Sequence, residues 1–134
     1  MTLVMPSSAK RVLIIDDEPY VLEVLGAYFR LKGGYAVVTA STAEEGLAEA
    51  ARARPDLILL DIRLPKMSGI EGLKELRNTV GRIPVIMISG TTDSMAPSTA
   101  LAYGALAYLT KPFNFEHLDH AVALALGQTP ETPR

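Results

Sequence analysis

The chain has 134 residues, enough to bury one core and too few for a second folded unit. Hydrophobic residues make up 49% and charged residues 21%, an ordinary globular balance, and no stretch approaches the roughly 20 apolar residues of a membrane helix. A net charge of -2 excludes a basic field for nucleic acid, and the absence of cysteine and of a signal peptide in Met1-Thr2-Leu3-Val4-Met5-Pro6 points to the cytoplasm.

Short apolar runs rich in branched residues alternate with longer segments of helical period, the pattern of repeated βα units around a parallel sheet. Residues 1–10 read as a leader, 11–127 as the domain and 128–134 as a loose tail. The first strand is expected over 11–15. Pro19 then opens a helix with Val21, Leu22, Leu25, Tyr28 and Phe29 at helical spacing, stopped by Gly33-Gly34. A second strand covers 35–40. Ser41-Thr42-Ala43-Glu44 has capping-box spacing for a helix running to about Ala53, ahead of Pro55. The third strand, 56–60, points at Asp61. After the loop 63–68, a helix over 69–79 carries Ile70, Leu73 and Leu76 on one face. The fourth strand, 84–88, is apolar throughout, as expected when helices cover both sheet faces, and it ends at Ser89-Gly90. Pro97 cannot sit inside a helix without cost, so the fourth helix is expected from about Ala96 to Gly104. The fifth strand is 106–110. The last helix begins at Asn114 as cap, turns Phe115, Leu118, Val122, Ala125 and Leu126 inward, and ends at Gly127.

Right-handed crossovers bring the C-terminal ends of parallel strands to one edge of the sheet, where such folds bind ligands. Asp16, Asp17, Asp61, Ser89 and Lys111 therefore converge. Carboxylates at 4 Å repel by about 4 kcal/mol per pair at an effective dielectric near 20, so such a cluster calls for a cation. With no His or Cys partner it favours a hard ion, Mg²⁺ or Mn²⁺. Beside such a metal an aspartate can attack a phosphoryl group and form an acyl phosphate, with a lysine neutralising the equatorial oxygens. Asp61, on a central strand and followed by a Pro/Gly-containing loop, is the candidate nucleophile.

Four fragments in order carry a family resemblance: Leu13-Ile14-Ile15-Asp16-Asp17-Glu18, Asp61-Ile62-Arg63-Leu64-Pro65-Lys66-Met67-Ser68-Gly69, the strand ending in Ser89, and Tyr108-Leu109-Thr110-Lys111-Pro112-Phe113. Over residues 11–126 the chain resembles the CheY-like receiver domain of two-component response regulators. The resemblance implies a doubly wound (βα)5 flavodoxin-like fold with strand order 2-1-3-4-5, and a signalling switch phosphorylated on Asp61 by a sensor histidine kinase or a histidine phosphotransfer protein. It further implies that Asp17, Asp61 and the Arg63 carbonyl ligate the metal, with Asp16 acting mainly through metal-bound water. Ser89 and Lys111 would contact phosphoryl oxygens, Tyr108 would be the aromatic switch, and Lys111-Pro112 would be cis. Output would pass through the fourth helix, fifth strand and fifth helix to a protein target, with a homodimer on phosphorylation as one form. Catalysis would be limited to phosphoryl self-transfer and autodephosphorylation.

Some positions depart from the family pattern. Gly90 stands where alanine is usual, Leu106 replaces a common acidic residue, and Pro97 alters the start of the fourth helix; these bear on the partner more than on the chemistry. Arg63 and Thr91 lie at variable positions that influence phosphoryl lifetime.

Plainer readings stand beside these. Asp17 and Glu18 before Pro19 could simply complement a helix dipole, Asp61 to Gly69 could be a turn, Ser89 a helix cap and Tyr108 a packing residue. His117 and His120 lack a third ligand and read as surface residues, and Met5, Met67, Met87 and Met95 as packing. Among other functions, an aspartyl-phosphate phosphatase of the haloacid dehalogenase type wants an aspartate where Arg63 stands, as well as a cap domain. A flavodoxin-like cofactor binder wants a phosphate loop where Asp16-Asp17-Glu18-Pro19 stands. A phosphorylation-independent adaptor would have no need of the acidic set.

Overall fold

A computed structural model describes residues 9–90 and 96–127. The chain order is β1 (Lys10–Ile15), α1 (Pro19–Lys32), β2 (Tyr35–Ala40), α2 (Ala43–Arg52), β3 (Leu57–Asp61), α3 (Gly69–Val80), β4 (Val85–Ser89), α4 (Ala96–Ala102), β5 (Ala107–Thr110) and α5 (Phe115–Ala125). The strands form one parallel five-stranded sheet in the order β2-β1-β3-β4-β5. This is the flavodoxin-like arrangement that the receiver resemblance implied, with β3 at its centre.

Two apolar layers flank the sheet. Val12, Ile14, Leu57, Leu59, Ile86 and Ile88 face α1 and α5, where Leu25, Phe29 and Leu118 meet them. Leu13, Ile15, Ile58, Leu60, Val85 and Met87 face the opposite layer, which includes Leu73 and Leu76 of α3 and Ala100 of α4. Both faces of β3 and β4 are buried, which explains why these strands read as unbroken apolar runs. Each fully buried Leu or Ile contributes roughly 1.5–3 kcal/mol, so the central strands are firmly held.

Several local expectations are corrected. The cap of α2 is Thr42, whose hydroxyl accepts the Glu45 N–H, while the Glu45 carboxylate accepts the Ser41 N–H; the capping box lies one residue later than the Ser41–Glu44 spacing suggested. Phe115 does not turn inward. It is half exposed and stacks on Tyr28 of α1, because the Asn114 cap starts α5 with this residue beside α1 rather than over the sheet. Leu106 precedes β5, although its N–H still bonds the Val85 carbonyl. The readings placed on residues 1–8, Thr91, Met95 and residues 128–134 lie outside the described residues. Among the described residues no helix is long and apolar enough to cross a membrane.

Candidate functional site

Parallel pairing puts the C-terminal ends of β1, β3, β4 and β5 on one edge, and the ladder continues just beyond them. The Asp16 N–H bonds the Ala40 carbonyl at 3.0 Å, Ile62 N–H the Ile88 carbonyl at 2.9 Å, and Lys111 N–H the Ser89 carbonyl at 2.7 Å. Residues that leave the strands are thus anchored by sheet hydrogen bonds before the loops begin. Asp16 and Ser89 are fully buried and Asp61 is 3% exposed, unusual burial for such groups.

The two buried aspartates are used alike. Asp16 Oδ1 accepts the Glu18 N–H at 2.9 Å and Asp61 Oδ1 accepts the Arg63 N–H at 3.2 Å, so each carboxylate spends one oxygen on the turn that follows it. The other oxygen of each looks toward Lys111. The ammonium lies 3.0 Å from Asp16 Oδ2 and 3.6 Å from Asp61 Oδ2, and it donates to Glu18 Oε1 at 2.7 Å. Asp16 Oδ2 is buried and within ion-pair distance, yet it makes no hydrogen bond of regular geometry among the described residues.

The loop after Asp61 is held tightly against the strand. Gly69 N–H bonds the Ile62 carbonyl at 2.7 Å, and a Cβ at Gly69 would sit 2.1 Å from the Asp61 carbonyl oxygen, so only glycine fits. Lys66 takes φ 68° to turn this loop, and the Ser68 hydroxyl caps α3 by accepting the Glu71 N–H.

The electrostatics follow from three carboxylates sharing one ammonium. Burial, then the Asp16 charge, push Asp61 up to about 7 against the opposing pull of Lys111 and the Arg63 N–H. Asp16 is raised as well, chiefly by burial. Burial acts against the charge on Lys111, but the hydrogen bond to Glu18, the close ion pair with Asp16 and the field of Asp61 outweigh it and hold the ammonium above its ordinary value.

Carboxylate oxygens of Asp16, Glu18 and Asp61 lie within 4.8 Å of one another. This all-oxygen set, with a buried oxygen lacking a regular hydrogen bond, fits a hard divalent cation. Asp17 is exposed at the rim and is not one of these three, though its charge still reaches Asp61. Arg63 is tied to Asp61 through its N–H. Ser89 donates its hydroxyl to the Gly90 carbonyl at 2.8 Å, and Tyr108 is half-buried against the α3 side of the core with its hydroxyl buried and without a hydrogen bond among the described residues. Lys111-Pro112 is cis. His117 and His120 are exposed, as expected of surface residues.

Glu18 is the residue that the sequence reading assigned only to a helix end. It occupies the N-cap position of α1 and makes no side-chain cap, a poor use of a cap position that was the available signal. An apolar groove of about 610 Å³ between α1 and the start of α5, lined by Val24, Ala27, Tyr28, Leu31, Lys32 and Phe115, includes none of the acidic residues.

Residues 12–123 match the response regulator receiver domain family. The chain belongs to the receiver domain family. As a receiver it is of the phosphorylation-dependent switch class of two-component systems. It is 46% identical over 105 residues to the transcriptional regulatory protein KdpE of Mycobacterium tuberculosis, a match covering 78% of this chain and 46% of that protein. Its fold superposes with TM-score 0.82 and 34% identity on a CheY-like receiver domain protein from Methanospirillum hungatei JF-1, over 90% of this chain and 95% of the other. It also matches, with TM-score 0.79 and 28% identity over 90% and 99% of the two chains, the receiver domain of the sensor histidine kinase PA1611 from Pseudomonas aeruginosa PAO1, a structure with a magnesium ion coordinated in its active site cleft. The chain spans about half the length of the curated relatives it matches.

Proposed function

We propose that this receiver accepts a phosphoryl group on Asp61 from a sensor histidine kinase or a histidine phosphotransfer protein. The observation that carries the reading is the convergence of the Oδ2 atoms of Asp16 and Asp61 on the Lys111 ammonium, at the sheet edge where a phosphoryl group can enter.

Asp61 Oδ2 attacks phosphorus, the bond from phosphorus to the donor nitrogen breaks, and the donor leaves with its electron pair. Asp61 must be ionised to attack, so its raised proton affinity is a handicap that neighbouring positive charge has to offset. By the family resemblance Asp17, Asp61 and the Arg63 carbonyl would hold Mg²⁺ or Mn²⁺, with Asp16 acting through bound water; the carboxylate cluster of Asp16, Glu18 and Asp61 puts Glu18 within reach as well. The ion would neutralise charge on the phosphoryl oxygens during transfer. Lys111 pairs with one of these oxygens, and the Ser89 hydroxyl turns from the Gly90 carbonyl to another. Reversal is by water attack at phosphorus, which restores the Asp61 carboxylate and releases inorganic phosphate. No other substrate is turned over.

The phosphoryl group brings about -1.5 to -2 charge, and Tyr108 reads the movement of Ser89. A shift from 1:99 to 99:1 needs about 5.5 kcal/mol of preference for the active state, within reach of a few charge-assisted hydrogen bonds. The altered surface of α4, β5 and α5 docks a protein target in the cytoplasm or a second copy of the domain. The transcriptional role named for KdpE is that protein's own; the contact proposed for this domain itself is with protein, since its net charge of -2 offers no basic field for nucleic acid.

Intact-mass measurement after incubation with Mg²⁺ and acetyl phosphate tests this reading. One phosphoryl adduct, absent from Asp61→Asn and absent with EDTA, is the expected result. An adduct that persists in Asp61→Asn refutes the assignment of the acceptor, and a folded, Mg²⁺-binding domain that no cognate phosphodonor modifies is an adaptor instead.

A further inference from the structure

Glu18 stands at the N-cap of α1, where a Ser, Thr, Asp or Asn would accept a backbone N–H, yet its carboxylate caps nothing. It reaches across to Lys111 and accepts a hydrogen bond at 2.7 Å. The same ammonium is 3.6 Å from Asp61 Oδ2, beyond hydrogen-bond distance. Lys111 is 17% exposed and Glu18 58%, so the pair straddles the rim of the crevice.

We propose that Glu18 is a positioning residue that holds Lys111 back from Asp61 and competes with the phosphoryl group for its ammonium. The inference rests on the reading of Asp61 as phosphoryl acceptor and adds a residue to it. In the resting domain the tether leaves the attacking oxygen of Asp61 unmasked by a close ion pair. Once a phosphoryl group is attached, Lys111 must release Glu18 to reach an equatorial oxygen, so the tether opposes the phosphorylated state. An ion pair with one exposed partner sets a modest effect, about two- to fivefold in the equilibrium for phosphoryl binding.

Two explanations of any Glu18 effect separate by chemistry. A carboxylate near the entrance repels an anion whether or not it touches Lys111, whereas a tether needs the full length of the side chain. Glu18→Gln removes the charge and leaves a weaker, neutral acceptor for the ammonium. Glu18→Asp keeps the charge but is one methylene shorter, and aspartate at this position will fold back to cap α1. The two variants therefore agree if the tether matters and differ if only the field does.

The test is an equilibrium titration with beryllofluoride, a phosphoryl mimic, at saturating Mg²⁺, followed by the backbone amide resonances of Gly69 and Thr110. Wild type, Glu18→Gln and Glu18→Asp are compared, with thermal melts as a check on folding. The expected result is two- to fivefold tighter beryllofluoride binding in both variants, together with a melting temperature in Glu18→Asp at or above that of wild type from the new cap. Tighter binding in Glu18→Gln alone overturns the tether in favour of simple repulsion, and unchanged or weaker binding in both overturns it outright. A wild-type domain that binds Mg²⁺ but neither beryllofluoride nor a phosphoryl group removes the reading of Asp61, and this inference with it.

Discussion

Replacing Asp61 with asparagine takes one negative charge out of a crevice that, among the described residues, holds another buried carboxylate and one ammonium. Asp61 is pushed up to about 7 from an ordinary 3.8. At about 1.4 kcal/mol per pH unit, this sets a ceiling of roughly 4 kcal/mol on the cost of ionising it in the metal-free fold. Asparagine keeps an acceptor for the Arg63 N–H, and the ceiling already contains the attraction of Lys111 at 3.6 Å; an amide that sets N–H donors beside that ammonium lowers the net gain expected to about 1–3 kcal/mol. The sign is fixed by linkage. Between about pH 4 and 7 the folded state binds the Asp61 proton more tightly than the unfolded chain does, so wild-type stability falls as pH rises through that window and carries the full penalty above 7. Asparagine has no such dependence. Thermal and urea melts in EDTA at pH 5 and pH 8 should therefore show Asp61→Asn melting roughly 4–10 °C higher at pH 8, with a clearly smaller gap at pH 5. Equal stability at pH 8, or a gap that widens on acidification, refutes the electrostatic account of the crevice.

Other perturbations follow from the same contacts. Gly69→Ala forces a Cβ to within 2.1 Å of the Asp61 carbonyl oxygen, and we expect a loss of about 2–4 kcal/mol in urea unfolding together with loss of phosphoryl uptake. Lys111→Met leaves Asp16 and Asp61 without their ammonium; we expect a loss of about 2–4 kcal/mol in EDTA, largely recovered in millimolar Mg²⁺, while adduct formation seen by mass does not recover. Tyr108→Phe removes a buried hydroxyl that has no hydrogen bond among the described residues, so stability should be unchanged or higher by up to about 1 kcal/mol; a loss larger than that would point to a partner for the hydroxyl.

Much of the fold was legible because its period was. Unbroken apolar runs at Leu57-Ile58-Leu59-Leu60 and Val85-Ile86-Met87-Ile88 read as doubly covered strands, and with the glycine and proline punctuation they marked out the βα alternation, while the sheet order came from the family resemblance. The convergence of Asp16, Asp61, Ser89 and Lys111 was legible for the same topological reason. Side-chain direction was not. Whether Asp17 or Glu18 joins Asp16 and Asp61 depends on how the chain turns between β1 and α1, where Asp16 Oδ1 takes the Glu18 N–H and brings that residue over the crevice. Periodicity carries no information about such a turn. Phe115 was misread because apolar spacing does not distinguish packing on the sheet from packing on α1. The α2 cap slipped by one residue because Ser41 and Thr42 are equally good caps followed by Glu44 and Glu45 at the same spacing.

The claim on which everything else depends is that Asp61 carries the phosphoryl group as an acyl phosphate. Borohydride reduces an acyl phosphate to the alcohol, converting a phosphorylated aspartate to homoserine, and peptide mass mapping then reads the position. After treatment with acetyl phosphate and Mg²⁺, the account predicts homoserine at position 61 and at no other aspartate. Homoserine at position 16 or 17 with Asp61 unchanged would contradict it.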